Sequence, residues 1–390
     1  MPKTKVLLIL ESQGGSRRHV VDLIHGLDPA RFEVTLIYGT SRMDKQFIEG
    51  LDDLARYARL IPCDHLVRPI SPKDELAALK QVRCVIREIR PDVVHCHSSK
   101  AGIIGRLAAK LEHVPKVFYT PHAYSFQAPE FGGKKRVVFV GLERWFSRHA
   151  TTCTFNVSAG ERDAALAEKL DAPSKFDVIV NGIPDEPVPS RAQARAALGL
   201  PADGKVVGVT ARMVEQKDPM TFARIAAAVT AADPTVTFVY IGDGPLEQDV
   251  HEYLNAAGGD VAERVRLLGY REDADAVVSA FDAYLLTSLY EGMPYSLIEA
   301  LRAGVPVVTT DVTGNNEVVR PGVNGELFPA GDAEAGAAAV RRVLAEPPTR
   351  EAVRGSYLDR FTADRMVDAI AAHYQGLGRD GGRNGGKSTR

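Results

Sequence analysis

The feature that most constrains the fold is an alternation of short runs rich in Val, Ile, Leu and Phe with helix-length amphipathic segments. Strands are predicted for the apolar runs at residues 5–10, 33–38, 92–96, 116–120, 205–210, 236–241, 283–287 and 305–309. Helices are predicted at 17–26, 74–90, 101–112, 220–231, 294–303 and 333–345. Nearly continuous apolar strands that alternate with helices are typical of parallel sheets covered on both faces. The pattern therefore predicts an α/β protein.

A proline-rich segment divides this pattern into two halves. At ~150 residues per domain, a chain of 390 residues predicts more than one core. Pro184, Pro187 and Pro189 oppose regular structure and indicate an extended hinge. We expect an N-terminal domain at residues 1–185, a C-terminal domain at 186–360, a terminal helix at 361–376 and a disordered tail at 377–390.

Composition excludes several classes of protein. Apolar residues make up 45% and charged residues 25% of the chain, which excludes wholesale disorder, collagen and coiled coils. The early apolar run, residues 6–10, is too short for a signal peptide, and no later run approaches the ~20 residues that span a bilayer. The four cysteines have no paired spacing, so we predict reduced thiols. These features predict a cytoplasmic protein.

Charge is distributed unevenly between the halves. Residues 1–185 carry 27 Lys and Arg against 22 Asp and Glu, whereas residues 186–390 carry 21 against 28. A basic half without a Lys/Arg block does not favour nucleic acid as a partner. It leaves open a peripheral contact with an anionic membrane, at the inner face of the cell membrane.

Ligands of parallel sheets bind beyond the carboxyl ends of the strands, so the strand-to-helix turns are the places to search. The first turn contains Gly14 and Gly15, which either admit a bulky ligand to the backbone or form a tight structural turn. A full GxGxxG is absent there. The turn with Gly242 and Gly244 lacks the third glycine, which disfavours a dinucleotide dehydrogenase.

Two cations follow the predicted strand at 205–210. Arg212 and Lys217 combine a forked guanidinium with a point ammonium, a pair that suits a diphosphate. A solvated basic turn is the alternative interpretation of this segment when it is read alone.

Two carboxylates lie in the segment that follows the strand at 283–287. Glu291 lies in a turn, Pro294 suits the first position of the next helix, and Glu299 lies more than one turn into that helix. A carboxylate beside apolar neighbours needs partners, which are either the hydroxyls of a sugar or ribose, or neighbouring backbone. The N–H groups of Tyr295 and Ser296 would face the same ligand.

Together with Thr120-Pro121-His122 and Asn181-Gly182-Ile183, these segments resemble glycosyltransferase family four. Glu291 and Glu299 match the E-x7-E pattern of retaining enzymes of that kind. The resemblance covers nearly the whole chain. It implies the GT-B fold, in which two Rossmann-like, doubly wound parallel-sheet domains face a cleft and a terminal helix crosses back onto the first domain.

The resemblance also implies roles for individual residues. Arg212 and Lys217 would neutralise the donor diphosphate, Glu299 would hold the ribose, and Glu291 and His122 would lie at the donor sugar. The remaining donor-side matches are Gly14, Gly15, Gly242, Gly244, Tyr270, Arg271, Gly292, Met293, Pro294, Tyr295 and Ser296. His97 and Arg17 are candidates on the acceptor side.

The expected reaction moves a sugar from a nucleotide-diphosphate donor, by default a UDP-sugar, to a hydroxyl acceptor. We expect no metal and no other cofactor, because two fixed cations can stabilise the departing diphosphate. The one Asp-x-Asp triplet, Asp273-Ala274-Asp275, opens a helical pattern and is interpreted as helix capping. A nucleotide-sugar epimerase and a non-catalytic nucleotide-sugar-binding regulatory protein remain alternatives.

Two further features are weaker. His95 and His97 alternate at the end of a predicted strand and so share a face, but no further ligands at metal-binding spacing are evident. The segment 131–146 mixes cations with aromatic residues on a helical pattern. It is either a core-facing helix with a basic end or a surface that docks on anionic lipid, which would suit a polyprenyl-linked acceptor.

Overall fold

A computed structural model describes residues 2–11, 13–127, 133–258 and 261–377 of the protein. The chain forms two compact units. Unit 1 consists of Met1–Asn181 with Ala363–Arg390, and unit 2 consists of Gly182–Thr362. The division after Asn181 precedes the three prolines of the predicted hinge. The tail predicted at 377–390 lies outside the described residues, apart from its first residue.

Unit 1 contains a sheet of seven strands in the order β3-β2-β1-β4-β5-β6-β7. Every neighbouring pair is parallel. Most positions of the central strands are buried, because helices cover both faces of the sheet. The strands are β1 (Thr4–Leu10), β2 (Phe32–Gly39), β3 (Ala58–Cys63), β4 (Val93–His97), β5 (Lys116–Thr120), β6 (Cys153–Asn156) and β7 (Phe176–Val178).

The helices of unit 1 pack apolar faces on two hydrophobic clusters, one on each side of the sheet. They are α1 (Gly15–Gly26), α2 (Lys45–Leu54), α3 (Pro72–Ile89), α4 (Ser99–Leu111), α5 (Lys134–Ala150), α6 (Ala159–Ala167) and the C-terminal α15 (Ala363–Tyr374). Helix α15 contributes Met366, Val367 and Ile370 to the same cluster as β1 and α1. Its Tyr374 hydroxyl lies 2.6 Å from His95 Nδ1, so the last helix also contacts β4.

Unit 2 contains a sheet of six strands in the order β10-β9-β8-β11-β12-β13, again parallel throughout. The strands are β8 (Lys205–Thr210), β9 (Val236–Ile241), β10 (Val265–Leu267), β11 (Ala283–Leu286), β12 (Val307–Thr310) and β13 (Gly325–Phe328). The helices are α7 (Arg191–Ala197), α8 (Pro219–Ala232), α9 (Glu247–Ala256), α10 (Val261–Arg264), α11 (Tyr295–Arg302), α12 (Asn315–Val318), α13 (Ala333–Ala345) and α14 (Arg350–Arg360).

Both sheets reverse their strand order at one point. In unit 1 the reversal lies between β1 and β4, and in unit 2 between β8 and β11. Loops that leave the carboxyl ends of two such strands run to opposite sides and open a crevice in which ligands bind. The prediction of two Rossmann-like parallel-sheet domains is confirmed. None of the helices within the described ranges is both long and apolar enough to cross a membrane.

Candidate functional site

The candidate donor site of unit 2 lies where its strand order reverses. The turn after β8 carries Arg212 and Lys217, and the turn after β11 carries Glu291. Thr287 Oγ1 donates to the carbonyls of Lys217 and Asp218 at 2.9 and 2.8 Å. Gln216 completes the connection between the turns, because its carbonyl accepts from Leu289 N and its side chain donates to Tyr290 O. The two turns therefore form one hydrogen-bonded layer.

Lys217 and Glu291 form an ion pair within this layer. The Lys217 ammonium donates to Glu291 Oε1, which also accepts from Ser288 Oγ at 2.7 Å. Both side chains are largely buried, 18% and 8% exposed, so solvent screens the pair weakly. The resemblance implied separate roles for the two residues, at the diphosphate and at the sugar. Without a ligand they are partners of each other.

Arg212 differs from Lys217 in its surroundings. Its side chain is exposed, and within the described ranges it has no carboxylate or hydrogen-bond partner. Its backbone is fixed, because its carbonyl accepts from the hydroxyl of Tyr240 at 3.3 Å. A guanidinium held at this position and left without a counter-ion offers an anion a forked pair of donors.

Gly242 and Gly244 pack against the backbone of the Arg212 turn. A Cβ at Gly242, which has φ of 139°, would lie 1.9 Å from the carbonyl oxygen of Ala211. A Cβ at Gly244 would lie 2.4 Å from the carbonyl oxygen of Met213, whose N–H donates to Asp243 O. Close packing therefore explains why glycine occupies both positions, whether or not a ligand binds there.

Helix α11 begins one residue later than its sequence suggests. Pro294 adopts an extended ψ of 128° and is the N-cap, not the first helical residue, and no side chain caps this end. The N–H groups that open the helix belong to Tyr295 and Ser296, after the turn formed by Gly292 and the buried Met293. A bare helix N-terminus at the end of a strand favours an anion.

Tyr284 connects this helix to the end of β8. Its hydroxyl lies 2.8 Å from Thr210 Oγ1 and accepts from Thr210 N at 3.0 Å. Burial raises the pKa of Tyr284 to about 12; hydrogen bonds with Ser296 and Thr210 oppose the shift, whereas the nearby carboxylate of Glu299 adds to it. Glu299 thus lies within electrostatic reach of the Tyr284 hydroxyl.

Tyr270 and Arg271, the candidates for the nucleotide base, lie in an exposed turn after β10. Tyr270 is 61% exposed. Arg271 donates through Nε and a terminal nitrogen to the two oxygens of Asp273, both at 2.8 Å. The capping interpretation of the Asp-x-Asp triplet is wrong at this residue, because the Asp273 carboxylate holds Arg271 and the 3₁₀ helix at Val277–Ala280 has no side-chain cap.

In unit 1 the ends of β1, β4 and β5 bring histidines together. His97 is the last residue of β4, His122 follows β5, and His19 lies on α1 after the Gly14-Gly15 turn. One ring nitrogen from each lies within 4.8 Å of the others. His97 Nδ1 lies 3.3 Å from His122 Nε2, and His19 Nδ1 lies 3.2 Å from Asn181 Oδ1. The predicted sharing of a face by His95 and His97 is confirmed, with ring centroids 4.0 Å apart.

The histidines are held in place by a strained backbone and a buried acid. His122 and Ala123 have φ of 54° and 82°, a region that residues other than glycine rarely adopt. Glu161, fully buried, accepts from Ala123 N at 2.6 Å and from Val157 N at 2.9 Å, which fixes this turn. Burial lowers the pKa of His19 to about 4 and holds those of His97 and His122 well below the usual range.

The other candidates of unit 1 have defined partners. Gly14 has φ of 72° and is the N-cap of α1, which begins at Gly15. Arg17 pairs with Asp44 and lies over the ring of Phe47, so its charge is already compensated. This pairing does not favour Arg17 as a free cation for an acceptor.

Sequence reasoning missed several residues that shape these sites. His19 and Asn181 lie far apart in sequence, and their contact depends on how α1 packs beside the end of β7. Three hydroxyls fix the donor-side turns at the ends of buried strands. Thr287 and Ser288 follow β11 directly, and Thr310, the last residue of β12, donates through Oγ1 to Ser288 O at 2.6 Å. Polar residues at strand ends are the signal that could have found them.

Comparisons with known proteins agree with this arrangement. Residues 13–187 match the family described as Glycosyltransferase Family 4, and residues 204–346 match the family described as Glycosyl transferases group 1. The UDP-Gal:alpha-D-GlcNAc-diphosphoundecaprenol alpha-1,3-galactosyltransferase of Escherichia coli is 32% identical over 356 residues, 88% of this chain and 89% of that protein. The putative glycosyltransferase EpsD of Bacillus subtilis is 27% identical and covers 78% of this chain and 82% of its own.

Solved structures share the fold. HepE from Anabaena, solved in complex with UDP and glucose, superposes with a TM-score of 0.79 at 22% identity, over 96% of this chain and all of that chain. The fold together with the family matches and the Escherichia coli relative defines a GT-B glycosyltransferase of the hexosyltransferase type. The chain belongs to glycosyltransferase family 4.

The packing of the glycine turn yields a prediction. Gly242→Ala should lower the free energy of unfolding by about 2 kcal/mol or more, because its Cβ would meet the carbonyl of Ala211. Urea unfolding measures this effect. Gly355→Ala, at a position on α14 with open space around it, is the control and should change stability by less than about 1 kcal/mol. Equal stability of the two variants would contradict the packing role of Gly242.

Proposed function

We propose that this glycosyltransferase moves a hexose from a UDP-sugar, with retention and without a metal ion, to a hydroxyl of a lipid-linked sugar at an anionic membrane surface. The observation that carries the proposal is the pair of cations, Arg212 and Lys217, at the strand-order reversal of unit 2. The relative in Escherichia coli is named for a UDP-Gal donor and a diphosphoundecaprenol acceptor, which supports this choice of substrates.

The chemistry needs fixed positive charge. The bond between the anomeric carbon and the phosphate oxygen breaks, and negative charge grows on the departing UDP. The acceptor oxygen forms the new bond on the same face and gives its proton to the leaving phosphate oxygen. Preorganised cations stabilise that charge more than the charge of the intact donor, which is the condition for catalysis.

Donor binding would rearrange the Lys217–Glu291 pair. A diphosphate competes with the Glu291 carboxylate for the Lys217 ammonium, since both are anions within reach of one cation. Glu291 would then accept from hydroxyls of the donor sugar, while Ser288 retains its contact with the carboxylate. The same pair thus explains how two joined turns could contact both the diphosphate and the sugar of the donor.

The side chains near the turns fit a reaction without Mg²⁺. Mg²⁺ prefers carboxylate and other oxygen ligands. Within the described ranges, the three-membered group with metal-ligand spacing consists of histidines of unit 1, not of carboxylates. Two acids of the donor-side turns have partners of their own, Glu291 with Lys217 and Asp273 with Arg271.

Unit 1 offers positive charge to an acceptor that carries a diphosphate. Glu11, at the end of β1, is buried, and burial raises the pKa of its carboxyl while Arg42, Arg68 and Lys100 oppose the shift. Arg42 Nη1 lies 3.9 Å from Glu11 Oε1, whereas Lys100 pairs with Glu75 at 2.6 Å. Arg68 is exposed and has no ion-pair partner within the described ranges. A sugar linked through a diphosphate to a lipid is an acceptor that this charge would attract.

Helix α5 supplies the surface for membrane contact. Val137, Val138, Leu142 and Trp145 are exposed, between 38% and 72%. Lys134 and Lys135 precede them, and the one acid of the helix, Glu143, is buried against Arg106. An apolar stripe with cations and no exposed acid matches an anionic bilayer. The first two residues of the predicted docking segment, Phe131 and Gly132, lie outside the described residues.

A cationic pocket of about 420 Å³ lies at the far end of the same helix. Lys110, Arg148 and Lys175 line it and donate to backbone carbonyls, not to carboxylates. Lys110 also lies 5.9 Å from the ring of Trp145, so the pocket adjoins the apolar stripe. Unneutralised cations beside an exposed tryptophan suit lipid phosphates at a membrane interface.

The cation pair gives the test of the reaction. Arg212→Ala and Lys217→Ala should each raise the barrier by about 2 to 4 kcal/mol, or reduce turnover ~30-fold to ~1000-fold, because each removes a charge from the leaving group. Steady-state release of nucleotide in the presence of acceptor measures the effect. Lys205→Ala, at the opposite end of β8, is the control and should retain turnover within about threefold.

Chelation distinguishes stabilisation of the leaving group by fixed cations from stabilisation by a metal ion. Wild-type turnover should not fall in excess EDTA. Turnover within threefold of wild type in both cation variants, or loss of activity on chelation with recovery on addition of Mg²⁺ or Mn²⁺, would overturn the proposal.

Donor identity is tested by binding. UDP should raise the melting temperature more than GDP, ADP or TDP at equal concentration, since ligand at ~100 times its dissociation constant stabilises by ~2.7 kcal/mol. The shift should be smaller in Arg212→Ala and unchanged in Lys205→Ala. A larger shift with another diphosphate would reassign the donor and leave the transfer reaction standing.

Membrane contact is tested by vesicle flotation. Wild-type protein should float with vesicles that contain phosphatidylglycerol and not with phosphatidylcholine alone. Val138→Glu should reduce the bound fraction at least ~5-fold, because it places a carboxylate in the apolar stripe. Leu358→Ser, on α14 of unit 2, is the control and should bind as wild type does. Leu358 is an exposed apolar residue outside the stripe, and its 43% exposure equals that of Trp145. Equal flotation with neutral vesicles would exclude this surface.

A further inference from the structure

We infer that His19, His97 and His122 form a binding site for a divalent transition metal of the Zn²⁺ class. The three residues come from α1, the end of β4 and the turn after β5, and one ring nitrogen from each lies within 4.8 Å of the others. The site lies at the strand-order reversal of unit 1 and shares no residue with the Arg212 and Lys217 turn.

Distances within the group are close to those of a metal centre. Zn–N bonds of ~2.0–2.1 Å place two tetrahedral ligands about 3.3 Å apart. His97 Nδ1 and His122 Nε2 already lie 3.3 Å apart. Closing the group from its widest nitrogen spacing of 4.8 Å takes side-chain movements of about 1.5 Å or less.

Partners of the nitrogens point to a ligand in the middle of the group. His19 Nδ1 bonds to Asn181 Oδ1, which places the proton on Nδ1 and leaves the Nε2 lone pair free to bind. Nε2 of His19, the nitrogen left for the metal, is buried and has no hydrogen-bond partner within the described ranges. His97 would bind through Nδ1, the nitrogen close to His122, so its own unpartnered Nε2 is not counted as a ligand. A buried polar atom without a partner is costly, by about 1–3 kcal/mol.

His95 shows what a structural histidine looks like in the same place. Its Nδ1 lies 2.6 Å from the Tyr374 hydroxyl, and its Nε2 lies 2.8 Å from Thr120 Oγ1. Both ring nitrogens are occupied, although the His95 ring lies next to that of His97. The difference separates His95 from the proposed ligands and argues that the unpartnered nitrogens are not a general property of this core.

Three imidazole ligands determine which metal ions the site would bind. Neutral imidazole suits Zn²⁺, Ni²⁺ and Cu²⁺, whereas Mg²⁺ and Ca²⁺ prefer oxygen. Three protein ligands leave a fourth tetrahedral position open to water or to a hydroxyl of a ligand. Glu161 holds the His122 turn through Ala123 N and acts as a positioning residue for the site.

Metal binding would inhibit transfer, a consequence that rests on the proposed function. His122 is proposed to contact the donor sugar, and a metal-bound His122 cannot turn to it. The loaded protein would therefore bind UDP through unit 2 and transfer sugar poorly. Zinc would act here as an inhibitor, not as a cofactor.

The test measures metal binding directly. Metal-free protein is titrated with Co²⁺, whose visible absorption reports low-coordinate nitrogen ligation, and with Zn²⁺ in calorimetry. Wild type should bind one metal ion. His19→Asn removes a ligand and should weaken metal binding at least ~100-fold, which is the largest loss expected when only a hydrogen-bond partner of a ligand is removed. Asn181→Ala, which removes the partner of His19, should weaken it ~10-fold to ~100-fold.

Controls separate the site from its alternatives. His25→Asn, on the exposed side of the same helix, should bind metal as wild type does. The melting-temperature shift with UDP should persist in His19→Asn, which shows that the variant folds and separates this test from the donor proposal. Absence of a Co²⁺ band, or equal affinity of His19→Asn and His25→Asn, would mean adventitious binding at exposed histidines and would overturn the inference.

Discussion

The ion pair of Lys217 and Glu291 is the interaction on which the candidate donor site depends. It joins turns that leave two adjacent strands in opposite directions, and the hydroxyls of Thr287 and Ser288 make the junction rigid. Buried charges in such a pair are costly to separate unless another ion takes the place of a partner. The diphosphate of the proposed donor would be such an ion. Under the proposed function, the protein would keep its cation positioned and shielded until the substrate supplies the replacement charge.

Much of the fold follows from apolar runs that can be recognised as strands in the sequence. The runs at 116–120, 205–210 and 236–241 match β5, β8 and β9 at both ends, because long apolar strands in the centre of a sheet are buried on both faces. Strands β3, β6, β7, β10 and β13 were not predicted. These strands are short or lie towards the sheet edges, where fewer positions are buried and the apolar run fades. These segments form strands because they pair with a neighbouring strand, not because their own sequence favours a strand.

The grouping of residues in the candidate donor site of unit 2 was more predictable than the histidine group of unit 1, for a physical reason. Arg212, Lys217, Glu291 and Glu299 lie in two short segments, so spacing along the chain reflects spacing in the fold. The histidine group is assembled from residues on three elements, and the bond of His19 to Asn181 crosses 162 positions of sequence. Only tertiary packing creates it. For the same reason the pairing of Arg17 with Asp44, between α1 and the start of α2, could not be anticipated.

The C-terminal position of α15 has a consequence for biosynthesis. Unit 2 is continuous in sequence, whereas the core of unit 1 needs Met366, Val367 and Ile370 from the last helix. On the ribosome, unit 2 can complete its sheet while the first-made unit still exposes the apolar groove beside α1. That groove closes only after α15 has emerged. Unit 1 therefore begins to emerge before unit 2 but completes its core after it, and chaperones would meet it in an unfinished state.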